Sequence, residues 1–141
     1  MTQLDHSRLS DFIDQKWDES ALPSLSEFIE IPALSPSFDP DWEENGYLDA
    51  AIETFISWIK SLSLKDVSIS VHRLKKRSPL LLVNINGDSE GEVLFYSHLD
   101  KQPEATGWSD GKGPWKAVVE DDWLFGSCLL YTSDAADETT G

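Results

Sequence analysis

The chain has 141 residues, 40% hydrophobic and 26% charged, the make-up of one soluble globular domain with enough apolar residues to bury a core. Eleven lysines and arginines against 26 acidic residues leave a formal charge of −15, which argues against nucleic acid or an anionic membrane as the main partner. No apolar run approaches the roughly 20 residues that span a bilayer, and the first sixteen residues lack a signal peptide's basic and then apolar profile, so a cytoplasmic location is expected.

Leu9, Phe12, Ile13 and Trp17 fall at i, i+3, i+4 and i+8, which predicts an amphipathic helix over residues 4–19 with these four side chains toward the core. Ser24 and Glu27 have capping-box spacing, predicting a second helix that starts there, carries Leu25, Phe28 and Ile29, and is ended by Pro32. Residues 32–46 read as a loop. Leu48, Ala51, Ile52, Phe55, Ile56, Ile59 and Leu62 then hold the helical period for four turns, the pattern of a packing helix.

Beyond residue 66 the period changes. Val67, Ile69 and Val71 alternate with Ser68, Ser70 and His72, as in a strand with one wet face. Residues 80–85 and 93–96 are denser apolar runs, predicting central strands covered on both faces. Helices followed by strands give an α/β layered domain. Arg73, Lys75, Lys76 and Arg77 lie between two strands, where they fit either a solvated turn or an anion site.

The chemically informative stretch is residues 93–100, VLFYSHLD, in which an apolar strand ends in Ser97, His98, Leu99 and Asp100. Side chains at i and i+2 of an extended segment share a face, so the Asp100 carboxylate can accept a hydrogen bond from one ring nitrogen of His98 and leave the other to face a metal. A carboxylate behind an imidazole fixes its tautomer and raises its basicity, as recurs in zinc sites. By spacing alone, a surface histidine capping a loop fits the triplet as well. His6 and His72 have no such partner and read as structural or exposed.

This run resembles the zinc aminoacylase and dipeptidase family, which includes carnosinase-like dipeptidases, acetylornithine deacetylase and succinyl-diaminopimelate desuccinylase, and the likeness is closest to the dipeptidase branch. Residues 93–96, Ser97-His98-Leu99-Asp100, Pro103, Trp108, Pro114-Trp115 and Gly126 follow the family's order, and residues 28–35, FIEIPALS, resemble its helix ending in an Ile-Pro-Ser-x-Ser type turn. The resemblance spans roughly residues 4–126. It implies a catalytic domain with a mixed sheet, a zinc centre of two ions (manganese or cobalt being alternatives), and hydrolysis of a dipeptide or an N-acyl amino acid. It makes His98 a zinc ligand and Asp100 the catalytic-site carboxylate that orients it. The remaining ligands and the general base have no counterpart in this chain. Relatives often dimerise through a lid domain, so a homodimer is an expectation for a full-length protein. The aromatic residues Trp108, Trp115, Trp123 and Phe125 fit the lining of a substrate cleft or, equally, burial against a missing half of the domain.

Residues 128–138, CLLYTSDAADE, resemble one reading frame of a transposase-type sequencing adapter over eleven consecutive positions, and an arginine codon cut after two bases would be read as Ser127. The expected division is therefore residues 1–127 as the N-terminal part of a metallohydrolase domain and residues 128–141 as a non-native tail. Setting the tail aside removes Asp134, Asp137 and Glu138 along with Cys128, the only cysteine, and brings the charge to −12. The reading from a different class is a small non-enzymatic α/β binding module in which His98 and Asp100 form a structural hydrogen bond only.

Overall fold

The computed structural model describes residues 5–121 and 123–127; the tail from residue 128, with Cys128 and its three acids, lies outside the described residues. Asp5 caps the first helix, α1 (His6–Lys16), by accepting from the Arg8 amide. The expected break near residue 20 does not occur. A π-helical turn, Trp17–Ala21, carries the chain directly into α2 (Leu22–Glu30), with the Leu22 amide donating to the Trp17 carbonyl. That wider turn seats Pro23, which has no amide proton, in the first turn of α2, where none is required. Ser24 consequently lies inside a helix, and the capping box predicted at Ser24 and Glu27 does not form. Pro32 does mark the end: Ile31 caps α2 in an extended conformation.

The loop expected over residues 32–46 contains one helical turn, α3 (Trp42–Asn45), braced by the Asn45 amide donating to the Asp39 carboxylate at 2.8 Å. Gly46, at φ +70°, closes α3 and opens α4 (Tyr47–Ser61), a left-handed turn that suits glycine. The α4 stripe packs as its period predicts, burying Leu48, Ala51, Ile52, Ile56 and Ile59. Phe28, Ala33, Leu48 and Ala51 form the core cluster, with Leu25, Ile31, Trp42, Phe55 and Leu99 packed around it. Phe28 meets Phe55 edge-on at 5.9 Å between ring centres.

Helix α1 differs from expectation. Leu9, Phe12, Ile13 and Trp17 stay 41–55% exposed and form no part of the core. Phe12, Ile13 and Trp17 instead line an open apolar groove of about 400 Å³ with Trp58, Leu62 and Leu64. The Trp58 indole donates across it to Ser20.

The strands are β1 (Val67–His72), β2 (Leu80–Ile85), β3 (Val118–Glu120) and β4 (Trp123–Phe125), paired as two separate antiparallel hairpins, β1 with β2 and β3 with β4. Val67, Ile69 and Val71 face Ile85, Val83 and Leu81 on one side of the first hairpin; Ser68, Ser70 and His72 face Asn84, Leu82 and Leu80 on the other. Mixed α and β structure is therefore present. Parallel pairing among the described residues is confined to one bridge, Leu34 to Lys101, in place of the expected mixed sheet. Two expectations of burial also differ from the structure. Leu80, Leu82 and Ile85 of β2 are exposed, and residues 93–96 form no strand and stand 80–91% exposed, because no described element packs over them.

Two kinds of apolar side chain follow, and substitutions separate them. Phe28→Ala is expected to cost about 3–5 kcal/mol, read as a lower urea midpoint. Leu94→Ser with Phe95→Ser is expected to move that midpoint by no more than about 0.5 kcal/mol while lowering the fluorescence of a bound hydrophobic dye.

Candidate functional site

Residues 97–100 lie in no helix or strand and lead into the bridge at Lys101. Leu99 turns in to pack against the core cluster, which places its neighbours His98 and Asp100 together on the opposite side. His98 Nδ1 lies 2.9 Å from the Asp100 main-chain oxygen and 3.0 Å from Asp100 Oδ1. A carbonyl and a carboxylate can only accept, so Nδ1 carries the proton, and in the neutral ring Nε2 carries the lone pair. Sequence spacing foresees the carboxylate contact; the second acceptor, from the main chain, it does not. Both side chains are about one-third exposed, which leaves the pair within reach of a solute.

The next residue, Lys101, is buried beside this pair, and sequence reasoning passes over it. Lys101 is the buried charged residue among those described, 3% exposed. Its Nζ donates to the carbonyls of Phe28 at 2.6 Å, Ile29 at 3.0 Å and Ile31 at 2.6 Å, around the C-terminal end of α2. It also sits 4.3 Å from the Phe28 ring centre and 5.2 Å from that of Trp115. Its main chain is fixed on both sides: the amide donates to Ala33 at 2.8 Å and the carbonyl accepts from Ser35 at 2.9 Å. A lysine beside Gln102 and Pro103 carries no local signal of burial, since its partners lie about 70 residues away. The one available clue is that the last turn of α2 carries Glu27 and Glu30 and no basic residue to meet the negative end of the helix.

Residues 103–127 wrap back onto the same end of α2. Trp115 donates to Glu104 at 2.6 Å while covering Lys101, and Ser127 donates to the Pro114 carbonyl at 2.7 Å. Lys112 pairs with Glu120 at 2.5 Å and lies 3.3 Å from the Phe125 ring centre. Trp108 donates locally to the Ala105 carbonyl, and Trp123 remains exposed. Gly126 packs against the fully buried Ile29 so closely that a Cβ there would meet Ile29 Cγ2 at 2.5 Å. Trp115 and Gly126 thus serve packing around Lys101.

The other singled-out residues stand apart from this cluster. His6 is exposed at the start of α1, and exposed His72 Nε2 meets Ser70 Oγ at 3.2 Å. Of the basic turn, Arg73 pairs with Asp49 on α4, and Lys76 shares a shallow pocket with Asp41, Glu43 and Glu44. Acidic neighbours on that side make the solvated-turn reading the better description.

A proton held on Nδ1 leaves the lone pair of a neutral imidazole on Nε2, the form in which histidine coordinates metals. Catalytic zinc takes about three protein ligands. Among the described residues no group of three or more histidine, cysteine or acidic side chains is placed to hold an ion, so a complete centre requires donors beyond them. No family model matches the chain, and no curated protein matches it. No described helix is long and apolar enough to cross a membrane.

Gly126→Ala is expected to destabilise the loop by roughly 1–3 kcal/mol, because Ile29 has no room to withdraw. Limited proteolysis should cut residues 103–127 faster in this variant while the helical core persists.

Proposed function

We propose that the chain is the N-terminal part of a metal-dependent amidohydrolase, dipeptidase-like, acting on a dipeptide or an N-acyl amino acid, with His98 as one metal ligand and Asp100 as the carboxylate that orients it. The observation that carries this reading is the doubly accepted Nδ1 proton of His98, which commits Nε2 to a lone pair at the end of an apolar segment. The resemblance of residues 93–126 to zinc aminoacylases and dipeptidases supplies the reaction class. Residues 128–141 are, in this reading, translated adapter sequence, and the domain is an α/β sandwich with a mixed sheet. The exposure of residues 93–96 supports the reading as part of a larger domain: four consecutive apolar side chains in contact with water form a surface that further elements would cover.

Zinc is the metal proposed, in a two-ion centre; bound there, it would supply a water acidified toward neutral pH and a Lewis acid for the scissile carbonyl. The contribution of this chain is narrower. Asp100 keeps the proton on Nδ1, Leu99 fixes the backbone between the two polar residues, and His98 offers one nitrogen. One imidazole binds zinc weakly and without fixed geometry, so the 141-residue chain by itself is inactive. A cytoplasmic location and a homodimeric full-length protein belong to the same proposal, with neither nucleic acid nor membrane as partner.

Assays of the 141-residue chain with dipeptides and N-acyl amino acids, in added zinc, manganese or cobalt, should show no turnover; turnover that depends on His98 would contradict the assignment of missing ligands. The reading frame recovered across the Ser127 junction should continue with arginine, glycine and an acidic ligand, and its product should be active. In that product Asp100→Asn should lower activity about 10–100-fold, the usual cost of losing a ligand's orienting partner, and His98→Ala should lower it further. A genomic sequence running unbroken through residues 128–141 would favour the binding module.

A further inference from the structure

We propose that Lys101 is a positioning residue for His98: by clamping the end of α2, its ammonium sets the backbone at Asp100 and with it the hydrogen bonds that select the His98 tautomer. The inference rests on the reading of His98 as a ligand for its functional meaning, although the geometry behind it does not.

Three carbonyls within 3.0 Å of one Nζ need three donated protons, and a neutral amine has two; the group is therefore the ammonium. Those carbonyls belong to the last turn of α2 and to its cap Ile31, where the helix dipole is negative; those of Phe28 and Ile31 also accept from the Ile31 and Ala33 amides, and the cation adds charge-assisted bonds and answers the local field. The clamp spans 70–73 residues of sequence, and the bonds to Ala33 and Ser35 hold the same residue's main chain on both sides. Residue 101 is consequently fixed in position and in orientation.

That restraint passes to Asp100 through one peptide unit. The Asp100 carbonyl that accepts from His98 Nδ1 is part of the planar peptide whose nitrogen is the Lys101 amide, and that amide is bonded to Ala33. The direction of the Asp100 carbonyl is thus set from the α2 side. Asp100 Oδ1, on the same residue, is placed by the same backbone. A metal ligand has to arrive with its lone pair already oriented, and here the orienting group is itself oriented by a buried cation. Trp115 covers that cation on one side, and the 103–127 loop keeps Trp115 there.

The test reads the His98 ring nitrogens directly, by long-range proton–nitrogen NMR of the metal-free 141-residue chain at alkaline pH, where imidazole is neutral. In the wild-type chain the Nδ1–H form should dominate. Lys101→Met should shift both nitrogens toward the solution mixture of tautomers, and Lys101→Arg, which keeps the charge and several donors, should restore most of the wild-type pattern. Since Met removes the charge and all three bonds donated by Nζ, Lys101→Gln, whose amide still donates, decides the matter if the Met variant does not fold. Unchanged His98 nitrogens in a folded Met or Gln variant would overturn the proposal. Loss of α4 amide protection together with the His98 pattern in the Gln variant would also overturn it, assigning Lys101 to the core as a whole. Zinc titration of the wild-type product of the recovered full reading frame, followed at His98, separates the two readings. A tautomer shift in Lys101→Gln with no zinc-induced change at His98 in the wild type supports the positioning role and refutes the metal reading. Zinc-induced change at His98 with no effect of Lys101 does the reverse.

Discussion

A buried ammonium at the C-terminal end of α2 is the interaction on which the arrangement of this molecule depends. Removing a charge from water costs several kcal/mol, and Lys101 recovers it through three charge-assisted bonds to carbonyls and two aromatic faces. The result is a junction rather than a surface ion pair. The end of α2, the Ala33 to Ser35 segment, the 98–101 segment and the Trp115 loop all meet at one residue, and the Phe28 ring beneath it belongs to the core cluster.

Several elements were legible in the sequence because their causes are local. The α4 stripe repeats every 3.6 residues and packs on that face; the alternation in β1 sets which face pairs with Ile85, Val83 and Leu81; Pro32 stops α2 by lacking a donor. Other features were not legible because their causes are distant or absent from the pattern. Pro23 and the π turn fuse what spacing divides into two helices. The α1 stripe and residues 93–96 are as apolar as core segments, yet burial depends on what packs against a segment, and the described residues provide too little. Amphipathic periodicity reports the capacity to be buried and does not report the partner.

The site divides along the same line. His98 and Asp100 are two residues apart, so an extended backbone brings them to one face whatever else the chain does, and the triplet can be read from spacing. Lys101 acts across 70–73 residues, and only the folded chain reveals it. Spacing shows the histidine and the carboxylate that pairs with it. The support beneath that carboxylate, and the packing of Gly126 on Ile29 that keeps the loop in place, emerge from three-dimensional contacts alone.

In the proposed hydrolase, then, function rests on a chain of restraints: an ammonium holds a backbone, the backbone aims two oxygens, and the oxygens hold a proton on Nδ1 so that Nε2 can meet a metal. The most direct measurement of this account is anomalous diffraction at the zinc edge from crystals of the protein encoded by the recovered full reading frame. The account predicts a zinc peak about 2.0–2.1 Å from His98 Nε2, with Asp100 still on Nδ1. A zinc centre formed without His98, or His98 bound through Nδ1 with Asp100 turned away, would contradict it.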